Sequence, residues 1–309
     1  MKKVFWIDGG AGRAVAAIPA LLKYARLNPG ADWAVLVAAW DFLYWGIPEL
    51  QDRAYGIDTK GVFDNVVKNA DMIVTPEPYR NPAYFRQEIS LVQAFDREIN
   101  NTTDHSDLGV PTMIFNKQEK IVAENTLLDL KNMQKRQKTV IIQPFGRGAK
   151  LDRDQVMDEE SRSLGKKDYL FLVRKLSQKY NMIFFGEPEF QLKEDTFAQK
   201  YTCDLRQWAA LIAEADYFIG VDSVGQHMAR AVGTPGSVIF GSTFPINTSY
   251  PDYFNIIDKG NAKKYSPIRI TGLDVMLSNR LNENSMNFSD VELNSLFNNI
   301  VADIERKTK

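Results

Sequence analysis

Residues 215–251, ADYFIGVDSVGQHMARAVGTPGSVIFGSTFPINTSYP, run from an apolar strand (Tyr217 to Val221) through a short turn of small and polar residues into a helix. A second apolar strand (Ser237 to Phe240) follows. In an open α/β sheet the turn after such a strand lies at the carboxyl edge, where ligands collect. The helix that follows aims unpaired backbone N–H groups and the positive end of its dipole at the same place. An anion suits that position. Asp222, Ser223, Val224, Gly225, Gln226 and His227 occupy it. Gly225 would let backbone approach a bound group closely, and the side chains of Ser223, Gln226 and His227 offer hydrogen-bond donors to phosphate or hydroxyl oxygens. The same residues suit plain structural duty, with Asp222 or Ser223 capping the helix and His227 satisfied in its first turn. Their clustering favours a site, since the chain has 2 histidines and one falls here.

The pattern of short apolar runs alternating with helical stretches extends in both directions. Val4 to Ile7 predicts a buried strand, GGAG a turn, and Arg13 to Leu27 a helix kinked by Pro19. Trp33 to Ala39, Met72 to Thr75 and Thr112 to Phe115 predict further strands, separated by helical stretches at Gly61 to Ala70 and Tyr84 to Glu98. Such alternation reads as a parallel sheet flanked by helices. The polar, basic segment KNMQKRQK (131–138) has no apolar face and predicts a boundary, giving domains 1–134 and 135–309. Alternation then restarts with strand Thr139 to Gln143, helix Tyr169 to Tyr180, strand Met182 to Phe185 and helix Leu205 to Ala215, capped by Asp204. A final helix begins at a capping box of Ser289 and Glu292 and carries Leu293, Leu296, Phe297, Ile300, Val301 and Ile304 on one face.

A length of 309 residues exceeds what one core usually holds, so two α/β domains are expected. With 44% hydrophobic and 25% charged residues the composition is that of a globular chain, and a formal net charge of −1 gives no global attraction to nucleic acid or anionic membrane. The single cysteine, Cys203, excludes an internal disulfide and a cysteine-rich metal site. The apolar stretch from Trp33 to Trp40 is far short of the roughly 20 residues that span a bilayer, and the run after Met-Lys-Lys is too brief for a signal-peptide core. Cytoplasmic residence is the expectation.

The stretch VDSVGQHMARAVGTPGSVIFGSTFP (221–245) resembles the donor-side signature of glycosyltransferase family 9, the heptosyltransferase-like enzymes. That signature runs strand, Asp-Thr/Ser, two variable residues, a small or polar residue, His, helix, and a Gly-x-Pro strand entry. GGAGRAVAAIPALLKYARLNPGADWAVLV (9–37) resembles the family's first strand-turn-helix unit, TVIIQPFGRGAK (139–150) the strand opening its second domain, and DLRQWAALIAEADYFIGVDS (204–223) the helix feeding the signature. The resemblance implies a GT-B-like fold, in which two Rossmann-like domains with parallel sheets face each other across a cleft. It also implies a nucleotide sugar held by the second domain, an acceptor held by the first, and metal-independent, inverting transfer of the sugar to a hydroxyl, with no cofactor.

Glycosyl transfer requires the departing diphosphate to be neutralised, the acceptor hydroxyl to be activated and water to be excluded. Beside residues 222–227, Arg147, Lys150 and Arg162 are placed to bring positive charge to the donor, and each also suits a solvated loop. Glu187 stands where the family often holds a ribose-binding acid, with Glu189 an equal alternative. Gly10, Gly12 and Trp40 are assigned to the acceptor side. At the family's usual Gly-Asp, whose aspartate is the implied general base, this chain has Gly12-Arg13. Arginine cannot take a proton at neutral pH. Either Asp8 serves as the base, or Arg13 positions an anionic acceptor, or transfer activity has lapsed and a nucleotide-sugar-binding protein remains; Asp8 equally suits the plain role of a turn-stabilising carboxylate. The acceptor implied is carbohydrate; the aromatic group Trp33, Trp40, Tyr44 and Trp45 beside Arg53 and Lys60 also admits a phage-type transferase acting on a hydroxymethylated DNA base. A sugar-nucleotide epimerase shares the architecture. A dinucleotide-dependent oxidoreductase fits poorly, because G-x-G-x-x-G is absent from residues 9–14.

Overall fold

The computed structural model describes residues 1–146, 148–152, 155–158, 160–187, 190, 192–260, 264 and 286–308. The chain divides into two compact units, the first holding Met1–Asn116 and the second beginning at Lys117.

In the first unit β1 (Lys3–Ile7), α1 (Ala11–Leu27), β2 (Trp33–Val37), β3 (Ala54–Gly56) and β4 (Met72–Val74) precede two helices, α2 (Pro82–Phe85) and α3 (Leu91–Asn100). The four-stranded sheet is parallel throughout, in the order β3-β2-β1-β4. The chain steps outward from β1 to β3 and then returns to the far side of β1. A topological switch point therefore lies at the carboxyl ends of β1 and β4. The alanines Ala14, Ala16, Ala17 and Ala20 on α1 are buried and let neighbouring elements pack closely around it, with Pro19 accommodated inside the helix. Helix α3 starts at a full capping box of Ser90 and Gln93, a feature that contributes about 1 kcal/mol.

Two expectations for this unit are corrected. Residues 112–115 form no strand: they follow Pro111, which has no N–H for a ladder, and pass beside the turn at Gly46, where Ile114 O lies 2.9 Å from the position a Cβ would take. The stretch from Gly61 to Ala70 contains only a single π-helical turn, Phe63–Val67.

The second unit comprises α4 (Lys117–Gln134), β5 (Thr139–Gln143), the hairpin strands β6 (Ala149–Asp152) and β7 (Gln155–Asp158), α5 (Lys166–Leu176), β8 (Asn181–Phe184), β9 (Gln199–Lys200), α6 (Leu205–Glu214), β10 (Tyr217–Val221), α7 (Val224–Val232), β11 (Gly236–Phe240), α8 (Pro245–Thr248), β12 (Asn255–Asp258) and α9 (Asp290–Lys307). Six of these strands make one sheet, in the order β12-β11-β10-β5-β8-β9, and every pairing in it is parallel. The chain moves from β5 to β8 and β9, then crosses back to place β10 on the other side of β5. The switch point is at the carboxyl ends of β5 and β10.

The division between units falls after Asn116 and not at residue 134. Helix α4 buries Ala123, Leu127 and Leu130, its Glu119 pairs with Arg206 of α6 (Nη2 to Oε2 3.0 Å), and Gln134 Oε1 accepts from Met182 N at 3.0 Å. The first half of the basic segment, residues 131–134, is thus the end of a helix that belongs to the second unit, and residues 135–138 lead from it into β5. Helix α9 likewise closes that unit's own core: Leu293, Leu296, Ile300 and Ile304 pack with Tyr217, Ile219, Leu172 and Leu176. Each such fully buried side chain stabilises by about 1.5–3 kcal/mol. The expected capping box is present at Ser289/Glu292, and Asp204, expected as a cap, makes a capping box with Gln207. No helix among the described residues is long and apolar enough to cross a membrane.

Candidate functional site

The turn from β10 to α7 sits at the switch point of the second sheet. Ser223 is the N-cap of α7 in an extended conformation, and its side chain makes no capping hydrogen bond to the helix. Ser223 and Val224 are half-buried, whereas Asp222, Gly225, Gln226 and His227 are buried. The first residues of the helix thus present a serine hydroxyl and a helix start toward solvent, with a buried layer beneath.

That layer is closely tied together. Gly225 N donates to Gln143 Oε1 at 3.0 Å, and Gln143 Nε2 reaches Ser223 Oγ at 3.4 Å. A Cβ built on Gly225 would overlap Gln143 Oε1 and lie 2.6 Å from Phe218 Cζ. The space freed by this glycine is therefore filled by the protein's own side chains, which corrects the expectation that it admits a ligand. Asp222 accepts from Gln226 Nε2 (3.1 Å) through one oxygen and from Thr243 Oγ1 (2.8 Å) through the other.

Arg162 reaches this turn from the loop before α5. Its Nη1 donates to Asp222 O at 3.2 Å, and the same nitrogen lies 3.9 Å from the Asp222 carboxylate, while Nη2 pairs with Glu160. The loop is shaped by the buried Asp158, whose carboxylate accepts from Glu160 N (2.9 Å), Arg162 N (3.2 Å), Ser163 N (2.9 Å) and Ser163 Oγ (2.5 Å). Arg162 is therefore held against the β10–α7 turn. Its charge is shared with two carboxylates, so the helix start carries much of the attraction for an anion.

His227 is 6% exposed, its Nδ1 2.8 Å from Tyr250 Oη and its ring edge-on to that tyrosine. Burial pushes the imidazole down to about 4, against an upward pull from Asp222. At neutral pH it is an uncharged strut between α7 and Tyr250, and brings no positive charge to a phosphate.

In the first unit, Asp8 and Gly9 follow β1 at that sheet's own switch point. Asp8 is half-buried, and its Oδ1 accepts from Gly9 N at 2.7 Å. Gly9 has φ +96°, and a Cβ there would lie 2.7 Å from Arg13 Cδ, so the turn needs glycine. Arg13 is 5% exposed, pairs with Glu77 (Nη1 to Oε1 2.8 Å), donates through Nε to Asp8 O (2.8 Å) and lies over the Tyr79 ring. The expectation that Arg13 positions an anionic acceptor is corrected: Glu77, just beyond β4, already neutralises it. Gly10 is the N-cap of α1, Gly12 is half-buried on its first turn, and Trp40 Nε1 donates to Gly9 O at 3.1 Å. All three surround the same turn as Asp8.

Arg147 and Glu189 lie outside the described residues. Lys150 is exposed on the β6–β7 hairpin, a separate two-stranded sheet that the sequence reading did not predict. Glu187 is exposed shortly after β8, its carbonyl accepting from Phe190 N at 3.0 Å. Gln143, Asp158, Thr243, Tyr250 and Glu77 were not anticipated. Gln143 alone carried a signal, as the polar end of the otherwise apolar strand TVIIQ. Among the described residues no cluster of three or more His, Cys, Asp or Glu side chains could hold a metal ion.

Residues 169–262 match the sequence model of Glycosyltransferase family 9 (heptosyltransferase). The match runs from within α5 past β12 and contains the β10–α7 turn, so the resemblance read from residues 221–245 is borne out there. Among solved structures, the chain is similar to E. coli ADP-heptose lps heptosyltransferase II at 13% identity and TM-score 0.67, covering 100% of both chains. It is similar to the glycosyl transferase family 9 protein of Veillonella parvula DSM 2008 at 13% identity and TM-score 0.61, covering 84% of this chain and 87% of that one. It is also similar to the dodecameric iron-containing heptosyltransferase TibC of enterotoxigenic E. coli H10407, solved with ADP-D-β-D-heptose, at 13% identity and TM-score 0.59, covering 99% of this chain and 77% of that one. No curated protein matches the chain. The α/β, GT-B-like fold is that of the heptosyltransferases.

Proposed function

We propose that the chain is a glycosyltransferase that moves a sugar from a nucleoside diphosphate to a hydroxyl acceptor. The observation that carries this is the start of α7 at the switch point between β5 and β10. There the N-cap Ser223 makes no capping bond of its own, and Arg162 is held against the same turn. A diphosphate laid there meets the helix dipole and the serine hydroxyl, which stabilise the charge that grows as the sugar departs. The match to glycosyltransferase family 9 over this segment, and the likeness to a structure holding ADP-D-β-D-heptose, support an ADP-sugar as donor.

Asp8 is the general base in this reading. Its carboxylate follows β1 at the first unit's switch point, while Arg13, at the family's usual position, is occupied by Glu77. Direct displacement by the activated hydroxyl inverts the anomeric centre and requires neither a covalent intermediate nor a metal ion. A carbohydrate acceptor is favoured over a hydroxymethylated DNA base, because a formal net charge of −1 offers a duplex little general attraction.

The test is transfer from ADP-heptose to a core oligosaccharide, followed by ADP release, in the wild type and in Asp8→Asn. Asparagine keeps the acceptor for Gly9 N, so ADP binding is expected to be unchanged while transfer falls by about 10²–10⁴-fold. Transfer undiminished in Asp8→Asn removes Asp8 from the role; no turnover of any nucleotide sugar by the wild type removes the activity.

A further inference from the structure

Gln143 joins the end of β5 to the start of α7 at the switch point of the second unit. Its side chain leaves the end of β5 and reaches α7, with Oε1 on Gly225 N at 3.0 Å and Nε2 3.4 Å from Ser223 Oγ. The chemistry of the partners sets this orientation. A backbone N–H can only donate, so the carboxamide oxygen faces Gly225 and the –NH₂ end faces the serine. Gln143 is 5% exposed and packed against a glycine where any side chain would collide with it, so the carboxamide is held in one pose. Because Ser223 Oγ accepts from Gln143, the serine's own hydrogen is left to donate elsewhere, and its side chain makes no bond to the helix it caps.

We propose that Gln143 is a positioning residue for the nucleotide: it occupies the Gly225 amide and turns the Ser223 hydroxyl so that its hydrogen meets a phosphate oxygen. This rests on the reading of the β5–β10 edge as the donor site. The consequence is that the serine's orientation is set before the ligand arrives, so none of the binding free energy is spent arranging it.

The test is calorimetric titration of the full chain with ADP and with adenosine, which shares the base and ribose but has no phosphate. Gln143→Glu retains an acceptor for Gly225 N, and so retains the joint, but its carboxylate takes the Ser223 hydrogen and sets a negative charge beside the phosphate. ADP affinity is expected to fall by at least about tenfold, and adenosine affinity by less than about twofold. Gln143→Met removes both bonds; it should weaken ADP about fivefold in the wild-type background and not at all when Ser223 is already alanine. The proposal is overturned if Gln143→Glu binds ADP as the wild type does, if ADP and adenosine weaken together as a purely structural role requires, or if Gln143→Met loses as much without Ser223. Should Gln143→Met fail to fold, the Gln143→Glu comparison decides alone. Failure of the donor-site reading is separable: there, ADP affinity is unchanged in Ser223→Ala itself.

Discussion

Burial keeps His227 neutral, and the cost of doing so can be measured in acid. The imidazole is pushed from 6.5 down to about 4, because protonating it would place a charge on the buried side of α7. The folded chain therefore binds this proton less readily than the unfolded chain. The stability it contributes is complete above the unfolded value and is lost as the pH falls through 6.5 toward 4. At about 1.4 kcal/mol for each pH unit, that span comes to roughly 3 kcal/mol in full and to about 2 kcal/mol by pH 5. Carboxylates that titrate over the same range are common to the wild type and His227→Gln, so the difference between the two proteins isolates the histidine. Urea unfolding followed by circular dichroism at pH 8, 7, 6 and 5 is the assay. With a denaturant slope of about 1–3 kcal/mol per molar urea, the wild-type midpoint should fall by about 1 M relative to the variant between the extremes. A difference that stays flat from pH 8 to pH 5 refutes the argument. A difference that moves the other way shows that His227 is held as a cation, in which case it is a phosphate ligand and not a strut.

The remaining predictions concern the two switch points. Arg13→Ala leaves Glu77 charged and buried, and is expected to destabilise the first unit by about 3–5 kcal/mol; Arg13→Met combined with Glu77→Gln should recover most of that loss, as read by thermal unfolding. Gly225→Ala drives a methyl group into Gln143 and Phe218, and should cost about 1–3 kcal/mol and weaken ADP about tenfold by displacing the start of α7, measured by calorimetry beside the unfolding midpoint.

Much of the fold was legible because strands in a parallel sheet are short, apolar and widely spaced, and helices between them repeat their apolar residues at a fixed interval. Tyr217–Val221 was read to the residue, and the capping residues Asp204 and Ser289 marked the starts of α6 and α9. The run from Thr112 to Phe115 misled, because an apolar stretch says nothing about whether a ladder partner exists. The basic end of α4 misled in a related way: a polar stretch reads as a linker, although the buried face that ties it to the second unit lies earlier, at Ala123, Leu127 and Leu130.

At the site, the position of the turn was legible and the roles of its residues were not. In sequence Gln226 and His227 resemble ligand donors and Gly225 a point of close backbone approach, yet each is engaged by a partner on its own unit, and for Gly225 and His227 that partner is distant in the chain: Gln143 and Tyr250. Arg13 resembled a departure with a functional purpose until Glu77, 64 residues away, was seen to neutralise it. Local sequence gives the chemistry available at an edge; which groups remain available to a ligand depends on contacts that only folding creates.

The claim that the start of α7 receives a nucleoside diphosphate is tested most directly by hydrogen exchange of the intact chain with and without saturating ADP. Slowed exchange over residues 222–228 and in the Arg162 loop, with the amide of Val224 among the most protected, is the predicted result. ADP that binds by calorimetry while those amides exchange at unchanged rates, with protection appearing elsewhere in the chain, would contradict it.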